Sequence, residues 1–214
     1  VFAQPLAVRL LLFGRKAHCE LWRTSGDLHD HWQQVRDYFD VAARWAPHAG
    51  PGHWPDGDML PLGMLHLRPW RQAPDPHPTR LTRDEQTTLM TLWCIAQSPL
   101  MFAGHLPGND AWTLALLTNP EVLAVNQHGA AAHELFRNHD AIVWVSEAPA
   151  GRYIACFNTG DTALTVRVPF RELGLPASCA VRDLWARREL GVCADTCAVE
   201  LPRHGAALCH VSPG

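Results

Sequence analysis

Two grammars follow one another along these 214 residues and predict an α/β fold. Residues 1–132 read as helices and strands of a parallel sheet, and residues 133–214 as an antiparallel β-sandwich. Three observations carry this. Helical periodicities with recognisable start signals alternate with short apolar runs as far as about His133. Beyond it, β-branched and aromatic runs are separated only by turn residues. The composition is 47% hydrophobic with no apolar run of about 18 residues, so the chain can bury a full core and has no segment that calls for a membrane span.

The elements follow in order. Leu28, Trp32, Val35, Phe39 and Ala42 recur at helical spacing and predict a helix from about Leu28 to Trp45, with Thr24, Ser25 and Asp27 as available caps. The passage P-H-A-G-P-G-H-W-P-D-G-D ends it as a loop holding a short strand. Pro69, Pro74, Pro76 and Pro78 are too many for a regular element, so Arg68 to Arg80 reads as an extended surface excursion. Thr82-Arg83-Asp84-Glu85 is a capping box that opens a helix through Leu89, Leu92, Trp93 and Ala96, stopped by Pro99. P-L-M-F-A-G-H-L reads as a short buried strand, and Asp110 and Asn119-Pro120 open two further helices. Six strands are then expected: A-I-V-W-V-S-E, R-Y-I-A-C-F-N, A-L-T-V-R-V-P, C-A-V-R-D-L-W, T-C-A-V-E-L and G-A-A-L-C-H-V.

The net charge of −3 comes from mixed acids and bases with no basic stripe, which argues against a nucleic-acid partner. Seven cysteines are odd in number, so at least one thiol is free. The C-x3-C pair Cys193 and Cys197 has no matching second pair, and packed thiols are expected rather than zinc. His29, Asp30, His31, His48, His53 and Asp56 invite a metal site. On the expected helix, however, His29 and His31 point to different faces, so neither metal nor cofactor is expected. The opening V-F-A-Q-P-L-A-V-R-L-L-L-F-G-R-K lacks a basic leader and a small-residue cleavage site, and reads as the interior of a longer protein. Compartment and oligomeric state are not encoded legibly.

Two clusters carry chemistry, Trp22-Arg23-Thr24-Ser25-Gly26-Asp27 and Trp54-Pro55-Asp56-Gly57-Asp58-Met59-Leu60. Each sets a carboxylate near a tryptophan at the exit of an expected buried strand. Carboxylates and arginine suit sugar hydroxyls, and an indole suits the apolar face of the ring. W-R-T-S-G-D-L-H-D-H-W and G-H-W-P-D-G-D-M-L resemble two motifs of the melibiase-type α-galactosidases, glycoside hydrolase family 27. The segments L-M-T-L-W-C-I-A-Q-S-P-L-M-F-A-G-H-L, L-L-T-N-P-E-V-L-A-V-N-Q, V-R-D-L-W and L-P-R-H-G-A-A-L resemble later parts of the same family, in the same order. The resemblance implies the C-terminal part of a (β/α)8 TIM barrel over residues 1–132 and the family's C-terminal β domain over 133–214. It also implies a retaining exo-α-galactosidase-like hydrolase acting on a carbohydrate.

By the same resemblance Asp27 is the general acid/base and Arg23, Asp58, Met59 and Trp54 are substrate-binding. Read from the residues alone, Asp27 serves equally as a helix N-cap, and Arg23 as one surface arginine among many. Desolvation beside Trp22 is the expected means of keeping Asp27 protonated. The family commonly has W-N-D-P-D where this chain has Trp54-Pro55-Asp56-Gly57-Asp58, which leaves the exact sugar open. The family's nucleophile sits in a K-x-D motif. The single lysine, Lys16, is followed by Ala17 and His18, so the nucleophile is expected outside this chain. A carbohydrate-binding protein with a degenerate barrel, and a metal-dependent hydrolase, are the competing readings.

Overall fold

A computed structural model describes residues 19–66 and 75–214. Lys16, the opening segment and Arg68 to Pro74 of the proline-rich passage lie outside the described residues.

The first portion opens with β1 (Leu21–Arg23) and β2 (Trp54–Asp56), which pair in parallel with Leu21 on Trp54, Trp22 on Pro55 and Arg23 on Asp56. Between them lies α1 (Trp32–Trp45), whose buried face is Val35, Tyr38, Phe39 and Ala42. This helix starts four residues later than its periodicity suggests. Its N-cap is His31, with no side-chain cap, so Thr24, Ser25 and Asp27 are not its caps. The backbone is extended at His31 (φ −122°, ψ 124°), which sets the helix start there, while the Leu28 amide donates to the Asp58 carboxylate at 2.7 Å. His29 and His31 therefore precede the helix, and the helical-face argument about them does not apply.

Next, β3 (Met64–Leu65) pairs antiparallel with β4 (His77–Pro78), so the described end of the proline-rich passage lies alongside Met64 and Leu65. The helix α2 (Arg83–Ile95) carries the full capping box: Thr82 accepts from the Glu85 amide and the Glu85 side chain accepts from the Thr82 amide. Asp110 and Asn119 cap α3 (Ala111–Leu117) and α4 (Pro120–His128) through their side chains. The strand expected at P-L-M-F-A-G-H-L is reduced to one parallel bridge, Leu60 to Phe102. Met101 is 38% exposed, so this run is not continuously buried.

Eight strands follow rather than six: β5 (Ala130–Asn138), β6 (Ala141–Ala148), β7 (Gly151–Asn158), β8 (Leu164–Pro169), β9 (Ser178–Asp183), β10 (Arg188–Ala194), β11 (Thr196–Leu201) and β12 (Ala206–Pro213). Six form one antiparallel sheet in the order β10-β9-β12-β7-β6-β5, while β8 and β11 make a two-stranded layer. The two unexpected strands are the edges of the large sheet. β5 is interrupted by register shifts, and β10 is exposed along nearly its whole length, so neither shows clean apolar alternation.

Period-two alternation sends each central strand into two cores. Ile142, Trp144, Tyr153, Ala155, Phe157 and Leu208 face α1, α2 and α4. Val143, Val145, Ile154, Cys156, Cys209 and Val211 face Val166, Val168 and Cys197 of the small layer. Both faces are covered, which explains why the strands read as nearly continuous apolar runs. All seven thiols are unpaired; five are buried, Cys193 is half-buried and Cys19 is exposed.

Among the described residues no helix is long and apolar enough to cross a membrane.

Candidate active site

Register alone sets Arg23 beside Asp56 at the C-terminal ends of the paired strands, the end at which (β/α) barrels carry their chemistry. The Arg23 guanidinium reaches both acidic residues of interest: Nη2 lies 3.3 Å from Asp27 Oδ1 and Nη1 lies 3.0 Å from Asp58 Oδ1. The two carboxylates differ sharply in environment. The Asp58 side chain is 5% exposed and the Asp27 side chain 82%, so Asp58 forms the floor and Asp27 the rim. This corrects the expectation for Asp27. Its neighbour is the partly exposed Arg23 guanidinium, not an indole, because Trp22 turns inward and packs against Trp45 and His53.

Asp58 is held on every side. Its Oδ2 accepts from the Leu28 amide at 2.7 Å, its own amide donates to Asp56 Oδ1 at 2.8 Å, and its carbonyl accepts from Trp93 Nε1 at 3.0 Å. Its φ of 88° is left-handed, a conformation an aspartate keeps only where its surroundings enforce it. Gly57 is obligatory just before it. A Cβ there would lie 2.6 Å from the Trp93 ring and 2.8 Å from the Tyr38 hydroxyl, and the Gly57 amide donates to Ser98 Oγ.

Asp56 completes the frame from below. Its carbonyl accepts from the Thr24 amide at 3.0 Å and the Thr24 hydroxyl at 2.9 Å. Since that hydroxyl proton is committed, the Tyr38 hydroxyl donates to Thr24 Oγ1 across 2.9 Å. Burial pushes the Tyr38 phenol up to about 12, so it stays a donor across the physiological range. Burial likewise raises the Asp56 carboxyl above its ordinary value, against the lowering effects of the Asp58 amide and of Arg23.

Of the other expected residues, Met59 is 48% exposed beside Asp58, free to meet a ligand. Trp54 is different. It pairs with Leu21 at the far end of β2, about 6.6 Å up the strand from Asp56, so the backbone does not carry it to the Arg23 end. Sequence reasoning missed Tyr38, Trp93 and Ser98 as parts of the site. The first two look like core positions on apolar helix faces, and only their polar tips, aimed at residues far away in sequence, reveal the second role. Among the described residues no three His, Cys, Asp or Glu side chains converge in a way that could hold a metal ion.

Comparison with known proteins places the chain in a family. Residues 14–128 match the sequence family described as alpha galactosidase A, and residues 138–211 match the alpha galactosidase C-terminal beta sandwich domain. Alpha-galactosidase 2 of Arabidopsis thaliana is 32% identical over 169 residues, covering 77% of this chain and 39% of that protein. Human alpha-galactosidase A is 30% identical over 135 residues, 60% of this chain and 28% of that protein. Among solved structures, a glycoside hydrolase family 27 β-L-arabinopyranosidase from Geobacillus stearothermophilus, in complex with arabinose, superposes with a TM-score of 0.91 at 40% identity. That match covers all of this chain and 49% of the other. The chain thus spans about half the length of that enzyme, and about two-fifths of the Arabidopsis protein.

Proposed function

This chain belongs to the melibiase-type glycoside hydrolases of family 27, and from that premise we propose that it carries the acid/base half of a retaining glycosidase site. Residues 1–132 are then the last part of a (β/α)8 barrel and residues 133–214 its C-terminal domain. The substrate is a terminal α-linked galactose or a sugar of the same ring configuration. β-L-Arabinopyranose is such a sugar, differing from α-D-galactopyranose only by lacking the hydroxymethyl group on the ring.

Retaining hydrolysis needs one carboxyl to protonate the leaving oxygen and another to attack the anomeric carbon. Asp27 takes the first role. Its exposure on the rim suits a group that must meet the leaving oxygen, receive a proton from solvent and later activate water. Arg23 and Asp58 hold ring hydroxyls and Met59 lies against the ring. With no K-x-D motif among the 214 residues, the nucleophile comes from elsewhere in the catalytic polypeptide. The observation that carries this reading is the single Arg23 guanidinium shared between Asp27 and Asp58. It ties the group that moves protons to the group that binds sugar.

The test is Asp27→Asn in the polypeptide that includes the nucleophile. On glycosides with poor leaving groups kcat/KM should fall by about 100- to 10,000-fold, and far less on aryl glycosides whose leaving group needs no proton. Equal loss on both removes Asp27 from this role. Calorimetric binding of galactose or arabinose without turnover of any glycoside would favour the carbohydrate-binding reading instead.

A further inference from the structure

One buried carboxylate close to Asp27 in sequence is left unused by the proposed chemistry. Asp30 lies three residues beyond Asp27, in the short stretch between the acid/base and α1, and is only 4% exposed. Its partners are on the other loop of the site: Oδ2 accepts from the Arg80 amide at 2.8 Å, and Oδ1 lies 3.3 Å from Arg80 Nη1. His77 of β4 sits 3.8 Å from the same Oδ2 but directs its Nδ1 at the Pro78 carbonyl, 2.9 Å away, so the short contact to Asp30 is the Arg80 backbone. That carboxylate stitches the loop after β1 to the end of the loop after β2, just ahead of the capping box that starts α2.

The consequence concerns Asp27. In this chain its carboxylate is exposed with Arg23 as hydrogen-bond partner at 3.3 Å, so the path of its backbone has a large share in where it points. That path is tied at Thr24 to the Asp56 carbonyl, at the Leu28 amide to Asp58, at the His29 amide to Gln34 of α1, and at Asp30 to the Arg80 amide. Two of the ties lie on the sugar-binding side and the Gln34 tie runs to the first turn of α1, while the Asp30 tie reaches a separate segment just ahead of α2.

We propose that Asp30 is a positioning residue for the acid/base Asp27, acting through its hydrogen bond to the Arg80 backbone amide rather than through its charge. The inference rests on Asp27 having the acid/base role. The guanidinium contact is secondary, since the Arg80 side chain is 53% exposed and water screens it. The amide bond is short, directional and shielded. A shift of about 1 Å in a catalytic group is enough to lower a rate by roughly 100-fold.

Three substitutions in the catalytic polypeptide separate geometry from charge. Asp30→Asn keeps an oxygen at the right reach and removes the charge, so kcat/KM should stay within a few-fold of the parent on all substrates. Asp30→Glu keeps the charge and lengthens the arm. It should lose roughly 10-fold or more on poor leaving groups, less on activated aryl glycosides, with KM nearly unchanged. Arg80→Ala keeps the amide and should behave as the parent. Thermal melting on each sample checks that it is folded, and neither Asp30→Asn nor Asp30→Glu opens a cavity. A normal Asp30→Glu with an impaired Asp30→Asn would overturn the proposal, as would equal losses on both substrate types. A parent with no turnover, or one whose Asp27→Asn variant shows no leaving-group dependence, overturns the acid/base reading and this inference with it.

Discussion

The antiparallel sheet runs strands of six to nine residues side by side, whereas the portion ahead of it pairs strands of two or three and leaves positioning to loops. Buried polarity divides the same way. Among the described residues the buried aspartates, Asp30, Asp56 and Asp58, all belong to the first portion, while the sheet portion buries Ser146, Asn158, Thr159 and His204. Isolated buried charge is destabilising unless paired and hydrogen-bonded, and each of these aspartates is held by backbone amides. The sheet is therefore the region that stabilises, and the short strands with their loops are the region that positions. Both tryptophans Trp93 and Trp144 are fully buried, yet only Trp93 sends its indole N–H to an Asp58 carbonyl. The same residue type fills a core in one region and holds a site in the other.

The strongest test of that division is Phe157→Ala. Phe157 is fully buried and meets Phe39 edge-to-face with ring centroids 4.9 Å apart, so its truncation should cost about 3–5 kcal/mol in denaturant unfolding. Affinity for free galactose or arabinose in the molecules that remain folded should be unchanged, and a parallel loss of affinity would break the distinction. Arg23→Ala should do the reverse. Calorimetry should record about 1.5–3 kcal/mol weaker binding of the monosaccharide, with a smaller fall in stability than Phe157→Ala. Thr82→Ala removes the capping-box hydroxyl at the start of α2 and should lower stability by about 1 kcal/mol without altering the leaving-group dependence of turnover.

The smallest effects are those of pH, and they take opposite signs. The Asp56 carboxyl is raised by burial, so what it contributes to stability is present in acid and is lost as pH rises through its folded-state value. Asp56→Asn should gain on the parent between about pH 4 and about pH 7. Glu121 of α4 is bound through both oxygens by Arg182 of β9, which lowers its carboxyl. Its contribution is present at neutral pH and is lost as pH falls through that lowered value. Glu121→Gln should therefore lose against the parent at about pH 7, with the gap closing in acid. Unfolding curves for both variants over that range, compared with the parent, check both signs.

Local signals were legible in the chain itself. Thr82, Asp110 and Asn119 announce helix starts because a cap is an interaction over three residues, and each makes the side-chain bond its type and place imply. Central strands were legible because burial on both faces leaves an apolar run between turns. The two edges of the large sheet, β5 and β10, were not, because β5 is broken by register shifts and β10 is exposed along nearly its whole length, so neither alternates. The family was legible in the Trp22 and Trp54 clusters, where residue types and spacings are set by chemistry.

Tertiary structure alone decided how those clusters become a site. That α1 begins at Trp32 and not at Leu28 follows from the extended backbone of His31, in a stretch whose Leu28 amide is held by Asp58 thirty residues away, which no helical periodicity records. That Asp27 stands in solvent while Asp58 is enclosed follows from the parallel register of β1 on β2 and from Tyr38 and Trp93 closing over Gly57. Asp30 finds Arg80 fifty residues further on. The sequence determines which residues can hold a sugar and move a proton, because hydrogen-bonding capacity and propensity belong to the residues themselves. Which carboxylate is wet, which is buried and which merely holds another in place are properties of distance, and distance between remote residues exists only after the chain has packed.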